Sequence, residues 1–146
     1  MYGDQIGPSW KGPIVRLEEM AIRTELNLRL PNSPGALNDV CRVLADERVR
    51  VHALMLETGG TLRLLVDNPV RAMGVLRDRR HVVDARDVLV TPLPNTPGGL
   101  APVLTLAREA GINIEYAYAA GPESSQTSVL VIGVDDAARA AMSAGL

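Results

Sequence analysis

The sequence predicts an α+β fold made of two βαββαβ modules in tandem, each an antiparallel sheet with both helices on one face. Three observations carry this. First, Pro31-Asn32-Ser33-Pro34-Gly35-Ala36-Leu37 returns as Pro94-Asn95-Thr96-Pro97-Gly98-Gly99-Leu100, 63 residues further on. Self-similarity at a fixed spacing marks a duplicated structural unit. Second, each copy follows apolar residues that alternate with polar ones, the period of a half-buried strand. Third, each copy opens a stretch whose apolar residues recur at i, i+3, i+4, i+7, the period of an amphipathic helix.

In chain order, residues 1–22 stand outside the repeat. Gly3, Gly7, Pro8, Gly12 and Pro13 interrupt regular structure there, Trp10 is a possible anchor, and 14–17 has the composition of a short strand. Module one is assigned to 23–86 and begins as a strand near Thr24, with Leu26, Leu28 and Leu30 facing one way. Ser33 is expected to cap the first helix with Pro34 at its first position, and Leu37, Val40, Cys41 and Leu44 form its buried stripe. Val49 to Met55 and Leu62 to Val66 make a hairpin around Thr58-Gly59-Gly60. Asn68 caps a second helix with Pro69 first and Val70, Met73 and Leu76 inward, and residues 81–86 form a fourth strand.

Module two, 87–146, repeats the order. Leu100, Val103, Leu104 and Ala107 answer Leu37, Val40, Cys41 and Leu44, and Ile112-Asn113-Ile114 answers Val49-Arg50-Val51. Val134-Asp135-Asp136 answers Val66-Asp67-Asn68 at a spacing of 68, so the second hairpin, around residues 121–126, is the longer one. Nothing in the sequence answers the strand at 81–86, so module two is expected to lack its last strand. An unpaired edge invites another strand. The segment 14–17 or a second subunit is expected to fill the place.

Composition narrows the function. With 47% hydrophobic residues but 3% aromatic and no Phe, the core is aliphatic. A net charge of −2 gives no basic face for nucleic acid, and no apolar run reaches the roughly 18 residues of a membrane span. A cytoplasmic location is therefore expected. Cys41 is the single cysteine and reads as a small apolar residue, while His52 and His81 lack metal-type spacing. No metal or cofactor is implied. Asp135 and Asp136 resemble an acid–base pair, but helix capping accounts for both.

The strand, the Pro-Asn-(Ser/Thr)-Pro-Gly-(Ala/Gly)-Leu loop, the helix, and then Ala110-Gly111-Ile112-Asn113-Ile114 with a hairpin ending in Val134-Asp135-Asp136 resemble the ACT domain. The repeat over residues 24–146 is similar to stand-alone tandem ACT proteins. That resemblance implies ferredoxin-like modules that bind a small molecule, most often an amino acid, between modules and regulate without catalysis. It also implies a homodimer and a regulated metabolic enzyme as partner. Carried over by residue, it places ligand contacts at Asn32, Ser33, Pro34, Gly35, Ala36 and Leu37, and at Asn95, Thr96, Pro97, Gly98, Gly99 and Leu100. On the strand that follows, it marks Asn113, with Ile114 and Tyr116 beside it.

The chemistry suits such a ligand. A helix start offers free N–H groups and partial positive charge to a carboxylate, and glycines let it approach the backbone. Asn113 adds a donor and an acceptor, so the site is expected to be better furnished in module two. In module one Arg50 stands at that place, which points to a different ligand or to a site lost there. Tyr116 and Tyr118 share a strand face and serve either a pocket or packing. Two other functions remain on the sequence alone: an interaction protein with a degenerate site, or a small enzyme on the same fold.

Overall fold

The structure is a computed structural model, and it describes residues 20–143. The elements are β1 (Ala21–Arg29), α1 (Ala36–Asp46), β2 (Val51–Leu56), β3 (Thr61–Val66), α2 (Pro69–Asp78), β4 (Val83–Pro94), α3 (Ala101–Glu109), β5 (Ile114–Ala120), β6 (Thr127–Val134) and α4 (Ala137–Ser143). The described residues divide into two compact units, Arg23–Asp87 and a second formed by 20–22 with 88–143. Both β1 and β4 are cut by that division.

In module one the strands lie in the order β2-β3-β1-β4. β3 is antiparallel to β1, with Leu26 opposite Leu64 and Leu28 opposite Leu62, and antiparallel to β2. Alternation sends Leu26, Leu28, Leu30, Leu62, Leu64 and Val66 to one face. There they form a single core with Val40 and Leu44 of α1 and Ala72 and Leu76 of α2. The other face carries polar residues. Arg63 donates from Nη1 to Asn27 Oδ1 (2.8 Å), lies 3.7 Å from Glu25 Oε1, and donates from Nε to Glu57 Oε1 (3.2 Å). Glu25, on the polar side of the alternation, is fully buried.

Module two has the order β4-β6-β5, again antiparallel. Leu89, Leu93, Leu130 and Ile132 meet Val103 of α3 and Ala137, Ala140 and Ala141 of α4. Met20 joins this core at 4% exposure. The helices contribute mainly small side chains, and a void of about 20 Å³ remains among Met20, Leu89, Val103, Ala107 and Ala140.

The duplication is visible in the end-caps. Asn68 Oδ1 accepts from Arg71 N (3.1 Å), and Asp136 Oδ1 accepts from Arg139 N (2.9 Å). The side chain of Arg71 then reaches Glu47 O (3.0 Å) beyond α1, and that of Arg139 reaches Gly111 O (3.3 Å) beyond α3. Each arginine thus places a cation at the end of the preceding helix, where carbonyls are unsatisfied. Asp136 is accordingly a cap, and Asp135 lies 3.7 Å from Arg139.

Several expectations need correcting. α1 does not start on a Ser33 cap with Pro34 first: its N-cap is Gly35 at φ +85°, without a side-chain cap. The reason is a turn in which Ser33 O accepts from Ala36 N (3.4 Å), delaying the helix to Ala36. In module two Thr96 O likewise accepts from Gly99 N (3.0 Å), and α3 starts at Ala101. Val70 does not face inward but is 83% exposed, because the stripe of α2 runs through Ala72, Met73 and Leu76. The strand expected at 81–86 and the first strand of module two are one strand, β4, since no turn residue separates them. β1 starts at Ala21, earlier than the alternation marks. The segment 14–17, expected to complete module two, lies outside the described residues.

Candidate functional site

Each module has an open hollow beside the loop that leads into its first helix. In module one it measures about 520 Å³. One wall is the loop with the start of α1: Asn32, Ser33, Gly35, Ala36, Leu37 and Asn38. The other is the end of β2 and its turn, from Leu56 and Glu57 to Gly60, with Arg29 at the end of β1. The walls are tied by Leu30 N donating to Gly60 O (2.8 Å). Gly60, at φ +95°, brings its Cα so close to Leu30 O that a Cβ would stand 2.7 Å from that oxygen. Only glycine fits such a backbone approach without a shift.

In module two the hollow measures about 440 Å³ and lies among Leu93, Pro94, Asn95, Thr96, Gly98, Gly99, Leu100, Ala101, Leu104, Ala119 and Ser128. Leu100 and Leu104, expected on the inward stripe, are 45% and 41% exposed instead. α3 buries Val103 and turns these leucines into the hollow. A Cβ on Gly99 would collide with Pro94 O, a backbone atom that has no rotamer to yield. The loop therefore depends on glycine for close packing of its own backbone.

The two loops are alike in sequence but not in what their side chains do. Asn95 Nδ2 donates to Ser125 O (2.9 Å) and approaches Pro122 O (3.4 Å), while its N–H donates to Gln126 O (2.9 Å). It ties the long hairpin loop of module two to the helix-start loop. Asn32, its repeat counterpart, makes no side-chain hydrogen bond among the described residues, nor do Asn38 and Arg29. Asn32, Asn38 and Arg29 therefore leave polar side chains of the module-one hollow open to a ligand, whereas the module-two counterpart of Asn32, Asn95, is engaged.

The structure brings Asn32, Ser33, Gly35, Ala36 and Leu37 together in one hollow, and Asn95, Thr96, Gly98, Gly99 and Leu100 in the other. Pro34 and Pro97 line neither. Asn113, Ile114 and Tyr116 also line neither. Asn113 is exposed, and its carbonyl accepts from Asp135 N (3.3 Å), as Arg50 O accepts from Asp67 N (3.0 Å). The two residues are thus structural equivalents. Ile114 packs against the module-two core. The Tyr116 ring lies over Gly133, where a Cβ would strike it, and stacks with Tyr118 at 6.4 Å and 11°. The missing side chain of Gly133 leaves the room in which the Tyr116 ring lies.

Residues outside the repeated motif also build the hollows. Arg29 is the last residue on the polar side of the β1 alternation, next to the loop, and Glu57 directly precedes the Thr58-Gly59-Gly60 turn. Both positions follow from strand period and turn chemistry once the hairpin is known to fold toward the loop. Among the described residues no group of three or more His, Cys, Asp or Glu is placed to hold a metal ion, and no helix is long and apolar enough to cross a membrane.

Comparison with known proteins agrees with this architecture. Residues 20–143 match the family model of an ACT domain pair. No curated protein matches significantly. Among solved structures, protein BT0572 from Bacteroides thetaiotaomicron is 30% identical, with a TM-score of 0.77 over 86% of this chain and 88% of that one. The regulatory subunits of aspartate kinase from Thermus thermophilus, in a ligand-free form, and Thermus flavus share the fold at 18% and 17% identity. Their TM-scores are 0.64 and 0.61, each over 92% of this chain and 97% of theirs. With a duplicated module, a glycine-bearing loop before each first helix, and a family match across both modules, the chain belongs to the ACT domain family as a tandem ACT domain pair.

Proposed function

We propose that this ACT domain pair is a regulatory protein that senses a small amino acid and acts through association with a partner rather than through chemistry of its own. The observation that carries the reading is the module-one hollow. It has room for a small metabolite and places unengaged donors and acceptors beside a helix start. Such a site holds a carboxylate through backbone N–H groups and orients the rest of the molecule with side chains. The family supports a regulatory, ligand-binding role, and the likeness to subunits named as regulatory for aspartate kinase points the same way. The partner we favour is a metabolic enzyme, with the protein as a homodimer in the cytoplasm. Binding regulates only if the ligand favours one arrangement of the protein over another.

A thermal-shift screen of the full chain against the twenty amino acids tests this. A ligand at 100 times its Kd stabilises the folded state by about 2.7 kcal/mol. For a chain of this size that raises Tm by roughly 5 °C or more. The expected outcome is a shift of that order with one amino acid or a chemically related few. No shift with any of them overturns the reading.

A further inference from the structure

We infer that the module-one hollow is the one that reads the charges of the ligand, with Glu57, positioned by Arg63, receiving the α-ammonium group and Arg29 joining the helix-start N–H groups at the carboxylate. This rests on the amino-acid reading above and assigns it to one module and to named side chains. The two hollows sit at equivalent places in the repeat, yet only the first has charged residues in its lining. Arg29 and Glu57 border it, whereas the lining of the second contains no ionisable side chain. A zwitterion leaves water at lower cost where each of its charges meets an opposite one.

Glu57 is prepared for that task. Arg63 Nε holds its Oε1 at 3.2 Å, and Arg63 is itself fixed by Asn27 Oδ1 at 2.8 Å and by the fully buried Glu25 at 3.7 Å. The Arg63 side chain is only 16% exposed, so it is a fixed post rather than a wandering surface cation. One oxygen of Glu57 is thereby fixed, and Oε2 has no partner among the described residues. The Arg29 side chain makes no hydrogen bond or ion pair among them, so the two opposite charges border one hollow without neutralising each other. Fixing a carboxylate before the ligand arrives lowers the ordering cost of binding.

The test uses the full chain and titration calorimetry with the amino acid that gives the largest thermal shift, its N-acetyl derivative and its carboxamide. Loss of one charge-assisted hydrogen bond is expected to weaken binding about tenfold. Glu57→Gln should weaken the parent amino acid by that factor and leave the N-acetyl derivative, which has no ammonium, unchanged. Arg29→Gln should weaken the parent and leave the carboxamide, which has no carboxylate, unchanged. Arg63→Gln should weaken the parent in the native background and have no further effect on top of Glu57→Gln, since a positioning residue acts through the group it positions. If Glu57→Gln does not fold, Arg29→Gln with the carboxamide decides the matter. Parent binding that survives both Glu57→Gln and Arg29→Gln, or that is lost instead in Leu104→Glu of module two, overturns the assignment while leaving an amino-acid sensor in place. No binding of any amino acid to the unaltered chain overturns the sensor reading, and this inference with it.

Discussion

Arg48 and Gly111 occupy the same place in the repeat and show what one residue type does there. Both have positive φ, +60° and +68°, just past the end of the first helix of a module. In each case the next residue donates back into the helix: Val49 N to Leu44 O and Ile112 N to Ala107 O, both at 2.9 Å. This is a glycine-type helix ending, which leaves the left-handed conformation to the residue after the helix. Glycine adopts that conformation freely, whereas a residue with a Cβ is strained by roughly 1–2 kcal/mol. Replacing Arg48 by Gly should therefore stabilise module one by up to about 1 kcal/mol, after the larger chain entropy of glycine in the unfolded state is subtracted. Denaturant titration that finds Arg48→Gly clearly less stable than the parent would contradict this account. The residue scale is also where the sequence misled. Ser33-Pro34 has the chemistry of a cap and first position, but Gly35 at φ +85° turns the chain before the helix begins. A glycine one residue later outweighs the cap, because a turn through left-handed backbone is incompatible with a helix already under way. Glu25 is polar and alternates with leucines, yet it is buried beside Arg63. Alternation identifies a face, not whether that face is covered.

At the scale of elements, legibility followed period. The stripes at Val40 and Leu44, the leucines of β1 and β3, and the hairpins are all as the spacing of apolar residues requires. The second helices are the clearest case, because Asn68-Pro69 combines a cap with a residue that has no N–H to lose. The structure puts Asn68 Oδ1 on Arg71 N and the equivalent Asp136 Oδ1 on Arg139 N. Truncating either cap leaves a helix N–H without that partner. Asn68→Ala and Asp136→Ala should each destabilise the chain by about 1 kcal/mol, with Asn68→Asp near neutral. Chemical denaturation of the three variants checks this, and a negligible effect of both alanines would show that water replaces the caps. The candidate site was legible only in part at this scale. Its loops were found because they repeat, but the opposite wall comes from the β2–β3 turn, which the repeat does not mark. Asn113 has the right chemistry for a ligand, yet it lies away from the hollow of its own module.

For the whole molecule, the division into units does not follow the chain from end to end. The second unit takes its core from both sides of the first in sequence, because Met20 packs with Leu89, Leu93 and Ile132. A resemblance spanning 24–146 could not reveal this, since one apolar side chain ahead of a repeat has no period to betray it. The consequence is specific. Met20 lies outside the hydrophobic cluster of module one, which is centred on Leu26, Leu44 and Leu64. Removing a buried methionine side chain costs about 2–5 kcal/mol, because the lost transfer energy is joined by that of the cavity left behind. A void of about 20 Å³ already exists there, so Met20→Ala enlarges a defect among α3 and α4 rather than creating one elsewhere. Met20→Ala in the full chain should lower Tm by about 5 °C or more. Hydrogen exchange should quicken in β4, β6 and α3 well before it does in β3 and α1, because local opening follows the packing that is lost. Leu26→Ala should give the reverse order, since Leu26 belongs to the other core. Equal acceleration in both sets of peptides for both variants would mean that the two cores open as one, and the separation of the chain into two packed units would then have no energetic counterpart.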